Sequence, residues 1–168
     1  VDSQTGKITP LADQSVITET REASVFIMQT LKFGTESALT MFDSGASIHL
    51  IEGSLAEKQN LEQLSDKPST LTVVGGGKID TEYGVSRFFL AQADSNEVRE
   101  VICQGIPSVT GVFAEIDLTL ANQELCRHDP SFKDTPLPKT IGGSRARLII
   151  GLKDPNLHPT PLFVLPGG

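Results

Sequence analysis

The sequence predicts an all-β fold, mainly of short strands, in a single domain. Short apolar stretches alternate with turn residues along most of the 168 residues. An apolar fraction of 38% is enough to form one core at this length, and no internal repeat marks a second domain. Many short strands with little helix favour a barrel-like or sandwich-like domain. We assign that domain to residues 23–168 and expect residues 1–22 to be a polar tail or a loose edge strand.

The first strands are predicted to form a hairpin. Residues 24–33 and 37–43 are rich in β-forming side chains, and the turn residues 33–36 separate them. Two such runs joined by a short turn are typical of antiparallel pairing. Residues 48–51 predict a further short, apolar strand.

One short helix is expected after this strand. Residues 53–64 carry apolar side chains at mixed helical spacing. Ser54 is a candidate N-cap, because Glu57 follows it three residues later as in a capping box.

A second hairpin with a glycine-rich tip is expected next. Residues 70–84 predict two strands around Gly75–Gly77, and glycine tolerates the positive φ angles that tight turns need. Residues 85–93 and 97–107 predict two further, half-buried strands joined by the turn residues 94–96.

A long insert precedes the last core strand. Within residues 112–146 two alternatives stay open, because residues 116–120 alternate like a strand while residues 118–126 also fit a helical turn. Residues 128–144 are rich in Pro, Gly and Ser and predict a loop.

The C-terminal part predicts one buried strand and one edge strand. Residues 146–152 contain the apolar run Leu148–Ile150 and predict a buried strand that ends at Gly151. The prolines that follow exclude a regular helix. Residues 161–168 are bounded by prolines and predict a last edge strand.

Composition argues against several kinds of partner. The net charge is −7 and no cluster of Lys or Arg occurs, so we expect no nucleic-acid partner. No apolar run of membrane-spanning length and no signal-peptide pattern occur, so we expect no membrane partner and a cytoplasmic location. Cys103 and Cys126 are too few for a disulfide framework and are expected to be reduced thiols. Cys126 and His128 could supply two metal ligands, but no second pair has zinc-like spacing, so we expect no metal and no cofactor.

The stretch Met41–Ser47 is the most informative part of the chain. Two apolar residues run directly into Asp43, Ser44 and Gly45, which predicts a buried strand that ends in a tight turn. A carboxylate at the end of an apolar strand is unfavourable unless donors satisfy it. On this motif alone, Asp43 could serve chemistry, start a turn or cap a helix.

Two further motifs follow the Asp43 turn along the chain. The turn is Phe42–Ala46, the glycine hairpin is Val74–Ile79, and the apolar strand is Leu148–Gly151. In this order, the three motifs resemble those of retropepsins, the retroviral-like aspartic proteases. The detail resembles the peptidase of BEL/Pao-type retrotransposon polyproteins, in which the catalytic turn is typically DSG and a long insert precedes the last core strand. The resemblance covers about residues 24–152. It implies a retropepsin-like acid protease barrel with one short helix and a glycine-tipped flap hairpin.

The resemblance implies a role for each residue of the turn. Asp43 would be the catalytic residue. Ser44 would hydrogen-bond across a dimer axis, and Gly45 would let the backbone pass close to the substrate with its N–H facing the carboxylate. Ala46 and Ser47 would line the wall of the substrate cleft.

The resemblance also implies roles outside the turn. Gly151 would let the last core strand pack closely behind the Asp43 turn. Independently of the resemblance, we expect His49, which follows the turn, to be a surface or supporting residue rather than a base. The hairpin would be a flap that closes over an extended peptide and donates main-chain hydrogen bonds. Its substrate-binding residues would be Val74, Gly75, Gly76 and Gly77.

The implied chemistry needs two carboxylates, one that holds a proton and one that accepts a proton from water. No other Asp in the sequence is followed by Ser-Gly or Thr-Gly. The second carboxylate would therefore be Asp43 of the partner subunit in a homodimer. Two anions ~3 Å apart repel by roughly 5 kcal/mol at an effective dielectric of about 20, so such a pair shares one proton, as in aspartic proteases.

The resulting expectation is an aspartic endopeptidase that acts as a homodimer. Its substrate would be an extended polypeptide, the parent retrotransposon polyprotein, in the cytoplasm or within retroelement particles. A catalytically inactive retropepsin-like module for dimerisation or peptide binding is one alternative, and a β-rich structural segment unrelated to proteases is a second. Activity of a shared proton pair should follow a bell-shaped, acid-leaning pH profile.

Overall fold

Strands dominate the part of the chain that the computed structural model describes, which comprises residues 27–33, 36–73, 76–91, 97–134 and 136–159. Two α-helices occur there, α1 (Gly53–Lys58) and α2 (Thr119–His128), together with 3-10 turns at Pro130–Lys133 and Pro155–Leu157. The prediction of a mainly β fold is confirmed, and the expectation of one helix is wrong because α2 is a second one.

The described strands are β1 (Ile27–Phe33), β2 (Glu36–Phe42), β3 (His49–Glu52), β4 (Glu62–Ser65), β5 (Ser69–Thr72), β6 (Lys78–Thr81), β7 (Val85–Ala91), β8 (Val98–Ile106), β9 (Ile116–Asp117), β10 (Thr140–Ile141) and β11 (Leu148–Ile150).

Seven of these strands form one mixed sheet in the order β1-β2-β11-β3-β8-β7-β4. The predicted hairpins β1–β2, β5–β6 and β7–β8 are all present. β11 pairs in parallel with β2 and antiparallel with β3. The strand that follows the insert therefore lies between two strands that are neighbours in the sequence.

The expected closed barrel is not formed by the described strands. Among the described residues, the edge strands β1 and β4 pair only with β2 and β7, respectively, so the sheet that these residues form is open at both sides. A closed barrel would require a ladder between its first and last strands. β4 has only four residues, and its pairing shifts register between Gln63 and Ser65, an irregularity that limits further pairing.

Helix α1 is shorter than predicted. Asn60 adopts φ 51°, a left-handed conformation that ends helices, and the chain then enters β4 instead of continuing helical to residue 64. The expected N-cap is also wrong, because Glu52 precedes the first helical residue and Ser54 lies inside the helix. The Ser54 hydroxyl donates to the Glu52 carboxylate instead of capping a backbone N–H.

The core lies on both faces of β2 and β11. Because side chains alternate along a strand, successive residues of β2 enter two different apolar clusters. The larger cluster contains α1 and strands β2, β3, β7, β8 and β11, through Ala38, Phe42, Ile51, Leu55, Ala56, Phe88, Val101, Cys103, Leu148 and Ile150. The cluster on the other face is built on Leu39, Met41, Ala146 and Ile149.

The insert covers this second face. Its two ends run antiparallel, with a bridge between Val112 and Arg145 and with β9 paired to β10. Phe113 and Ile141 pack against the second cluster. The open alternatives resolve as a two-residue strand followed directly by α2, and the predicted loop 128–144 contains a 3-10 turn and β10.

The predicted tail 1–22 and edge strand 161–168 lie outside the described residues. None of the described helices has the length and apolar character needed to cross a membrane.

Replacing Leu148, which is fully buried, should test the role of β11 in the core. Leu148→Ala is expected to lower the free energy of unfolding by about 2–5 kcal/mol, because it leaves a cavity between β2 and β3. Leu120→Ala is the matched control, since Leu120 is 75% exposed on α2 and its truncation should change stability by less than about 0.5 kcal/mol. Urea unfolding measures both, and equal effects would contradict the described core.

Candidate functional site

Asp43 is the first residue after β2 and is half-buried. Its backbone N–H donates to the carbonyl oxygen of Ile150 at 3.0 Å, which continues the β2–β11 pairing by one step. Up to this point, the apolar side chains of β2 and β11 are buried in the two clusters. The Asp43 carboxylate therefore lies where the paired and buried part of both strands ends.

The turn itself orients the Asp43 carboxylate. The backbone N–H of Gly45 donates to Asp43 Oδ1 at 2.8 Å, in agreement with what the resemblance implies. The N–H of Ala46 donates to the Asp43 carbonyl at 3.2 Å and closes the turn. Among the described residues, no donor bonds to Oδ2, so this oxygen has capacity for an incoming donor.

The other predicted residues of the turn lie beside Asp43. Ser44, Gly45 and Ser47 are exposed, and Ala46 is half-buried and packs against the second apolar cluster. The exposed side of the turn is thus formed by small side chains. This leaves room for another molecule to approach the carboxylate.

The predicted flap residues lie only partly within the described chain. Val74 and Gly75 are outside it, whereas Gly76 and Gly77 are exposed at the tip of the β5–β6 hairpin. Gly76 adopts φ 79°, the left-handed conformation for which glycine is suited. The tip is closed by hydrogen bonds between Val73 and Gly77 and between Gly76 and Val73. β5 and β6 form a separate two-stranded sheet, and the described tip hydrogen-bonds within itself and not with the Asp43 turn.

Gly151 packs directly behind the Asp43 turn. A methyl group at Gly151 would lie 2.6 Å from the carbonyl oxygen of Ala46 and still closer to that of Ile48. The next N–H, of Leu152, donates to the Ala46 carbonyl at 2.8 Å. Only glycine fits this contact, which agrees with the role that the resemblance implies.

His49 lies behind the same turn and is completely buried, so of its two expected positions the one at the surface is wrong and the supporting one agrees with the structure. The N–H of Gly151 donates to His49 Nδ1 at 3.0 Å. Because Nδ1 accepts, the proton of the neutral ring is on Nε2, which lies 3.4 Å from Asp154 Oδ2. Burial lowers the pKa of His49 below its usual value, although the hydrogen bond and charge of Asp154 oppose this shift.

His158 also contacts the residues behind the Asp43 turn, which the sequence did not reveal. Its Nε2 lies 3.1 Å from the carbonyl oxygen of Gly151. Its ring also meets Phe42 edge to face, with centroids 5.8 Å apart. A histidine within an apolar strand and an Asp-Pro after the glycine were the available signals, but nothing in the sequence connects them.

An ion-pair network joins β3 to the end of the insert. The buried carboxylate of Glu52 lies 3.3 Å from Arg147 Nε and 3.5 Å from Arg145 Nε. Burial alone would raise the pKa of Glu52, but the Ser54 hydrogen bond and the two arginine charges outweigh burial and lower the pKa. The ionised carboxylate fixes the return of the insert beside β3.

The described residues offer little for a metal or a thiol nucleophile. No group of three or more His, Cys, Asp or Glu side chains within them is arranged to hold a metal ion. Cys103 and Cys126 are free thiols, and burial raises the pKa of Cys103. Among the described groups of the site, the carboxylate of Asp43 is therefore the reactive group whose orientation is best determined.

Comparisons of the chain with protein-family models, with curated proteins and with solved structures found no match. The resemblance to retropepsins thus depends on the motifs of the sequence and stays a prediction.

Gly151→Ala should displace the Asp43 turn. The added methyl group would overlap two carbonyl oxygens of the turn, so we expect a loss of about 1–3 kcal/mol in the free energy of unfolding. The backbone amide resonances of residues 43–47 should also shift.

Gly111→Ala is the matched control, because nothing lies within 4 Å of a methyl group added there. Urea unfolding and amide spectra of the two variants provide the comparison. Unchanged turn resonances in Gly151→Ala would contradict the close packing.

Proposed function

We propose that this protein is an aspartic endopeptidase that works as a homodimer, with one Asp43 from each subunit. The observation that carries the proposal is the Asp43 turn at the point where β11 is inserted between β2 and β3. There the backbone holds one carboxylate through Oδ1 on a small, exposed turn. An ordinary surface turn would not require two buried strands and a glycine packed behind it.

The chemistry follows from bringing two such carboxylates together. One carboxyl group keeps the shared proton and donates a hydrogen bond to the substrate carbonyl oxygen. The other, ionised, accepts a proton from a water molecule that attacks the carbonyl carbon. The tetrahedral intermediate then collapses, and a proton passes to the leaving amine. Neither step needs a metal or a covalent bond between enzyme and substrate.

The second carboxylate comes from the partner subunit in this proposal. Asp43 is the only Asp of the sequence within an Asp-Ser-Gly or Asp-Thr-Gly turn. Two cavities bordered by described residues do not include Asp43. One of about 250 Å³ is bordered by α1 and Tyr83, and one of about 780 Å³ lies between β1 and residues 156–159, with Phe42 in its wall. In this proposal, a second subunit completes the cleft at Asp43.

The substrate class that best suits this site is an extended polypeptide. The β5–β6 hairpin has a glycine tip with an exposed backbone, and an extended peptide can pair with such a backbone by strand addition. The exposed small residues Ser44, Gly45 and Ser47 leave space for the peptide beside the carboxylate. We propose the parent polyprotein of a retrotransposon as the natural substrate.

Asp43→Asn should abolish peptide cleavage. The amide cannot accept the proton of water, so kcat/KM should fall by at least about 10²-fold. Fluorogenic peptides of mixed sequence at pH 4–7 provide the assay. Asp134→Asn, at an exposed aspartate of the insert, is the matched control and should keep the wild-type rate.

Equal cleavage by Asp43→Asn and the wild type would refute the catalytic assignment. A wild-type dimer that binds peptides but cleaves none of them would favour the inactive binding module.

Mixing subunits should show that the site is shared. When wild-type protein exchanges with a roughly ninefold excess of Asp43→Asn protein, about nine tenths of the wild-type subunits enter mixed dimers that contain one carboxylate. Wild-type activity should then fall about tenfold. The same excess of Asp134→Asn protein should not lower the wild-type activity. If Asp43→Asn protein does not lower it either, each chain acts alone and the site is not shared.

A further inference from the structure

His49 holds the backbone behind the Asp43 turn by a hydrogen bond with only one possible direction. The N–H of Gly151 can only donate, so Nδ1 of His49 must accept and must be unprotonated. The imidazole is completely buried, so no water replaces this bond if it is lost.

Gly151 transmits the position of the imidazole to the turn. Its α-carbon packs against the carbonyl oxygens of Ala46 and Ile48 without space for a methyl group. Its carbonyl oxygen accepts a hydrogen bond from His158 Nε2, and the N–H of Leu152 donates to the Ala46 carbonyl oxygen. Gly151 therefore cannot move without moving the turn that carries Asp43.

Protonation of His49 would oppose this arrangement. A proton on Nδ1 would face the N–H of Gly151, so two donors would meet and the hydrogen bond would be lost. Each donor would then be buried without an acceptor, which is strongly unfavourable. Relief would require Gly151 to move away from the imidazole.

The groups around His49 act in both directions on its protonation. Asp154 at Nε2 favours the protonated ring, whereas burial and the charges of Lys153 and His158 disfavour it, and the net effect is a lowered pKa of His49. On the β8 side, the residue paired with His49 is Cys103, whose thiol is kept neutral because burial raises its pKa.

The sign of the pH dependence follows from this shift. The unfolded chain binds the His49 proton more readily than the folded one, so the His49 contribution to stability is complete above about pH 6.5. It is lost as the pH falls from there through the lowered pKa of the folded state.

We infer that His49 is a positioning residue of the proposed active site: as a neutral imidazole it holds Gly151, and through Gly151 the Asp43 turn, in the reactive geometry. This inference depends on the proposed function for its effect on activity. The loss of activity at acid pH then has two causes. One is the titration of the carboxylate pair, and the other is the loss of the hydrogen bond between Gly151 and His49 when His49 is protonated.

Two substitutions at His49 separate the acceptor from the volume of the side chain. His49→Leu fills similar space but leaves the N–H of Gly151 without an acceptor, so kcat/KM at pH 7 should fall by at least about tenfold. His49→Asn presents an amide oxygen near the position of Nδ1 and should restore most of this loss. Equal losses in the two variants would overturn the assignment of the acceptor.

The pH profile distinguishes positioning from a simple loss of stability. His49→Asn has no group that titrates here, so the acid limb of kcat/KM should move to lower pH. Asp154→Asn removes the charge that favours the protonated ring while it leaves the Gly151 bond in place, so it should also move the acid limb to lower pH. An acid limb that stays at the wild-type pH in both variants would overturn the inference.

A spectroscopic measurement tests the contact without any assay of cleavage. In the wild-type protein, the amide resonance of Gly151 should titrate together with the His49 ring, and the amides of residues 44–47 should shift at the same midpoint. In His49→Asn this transition should be absent. Turn amides that do not respond to the His49 titration would overturn the coupling, whereas an inactive protein with the transition intact would overturn only the proposed function.

Discussion

The pairing of β11 with both β2 and β3 is the interaction on which the rest of this structure depends. All three residues of β11 are buried, because strands flank it on both edges and apolar clusters cover it on both faces. This explains why Leu148–Ile150 is a continuous apolar run instead of an alternating one. The pairing joins residues on either side of a long stretch of chain, so the entropy of closing that loop must be offset by this burial.

The pairing of β11 with β2 and β3 also makes the Asp43 turn rigid. The Asp43 turn is bonded to Ile150 on one side and packed against Gly151 on the other. The short turn by itself could adopt several conformations. Placed at the end of two buried strands, it presents the carboxylate in one orientation, which the proposed reaction between two carboxylates would require.

Local patterns in the sequence were sufficient for the hairpins and for the Asp43 turn. β-Rich runs separated by Gly, Asn and Asp determine the pairing of neighbouring strands, and the Asp-Ser-Gly motif indicates a turn, in which the resemblance implied the Gly45 hydrogen bond. The early end of α1 was not predictable in this way. It depends on the left-handed Asn60 and on the pairing of β4 with β7, which is a contact between separate parts of the chain.

The features that the sequence did not reveal all depend on long-range contacts. His49, Asp154 and His158 are unremarkable along the chain and meet only because β11 brings residues 151–158 behind the turn. A barrel was one of two architectures that the many short strands favoured, and the resemblance implied it as well, but the short β4 at the sheet edge does not support it. The path of the insert could not be inferred because its strands β9 and β10 have two residues each, too few to give a periodic signal.

The insert consists of two parts that differ in how firmly they are held. Its base shares the core through Phe113 and Ile141, whereas α2 at its outer end buries none of its own residues. Local opening of α2 therefore exposes little apolar surface and requires far less free energy than opening of the sheet. If a peptide bond near α2 were cut, β11 would stay in its place by non-covalent pairing, and the molecule would continue as two associated fragments with the Asp43 turn intact.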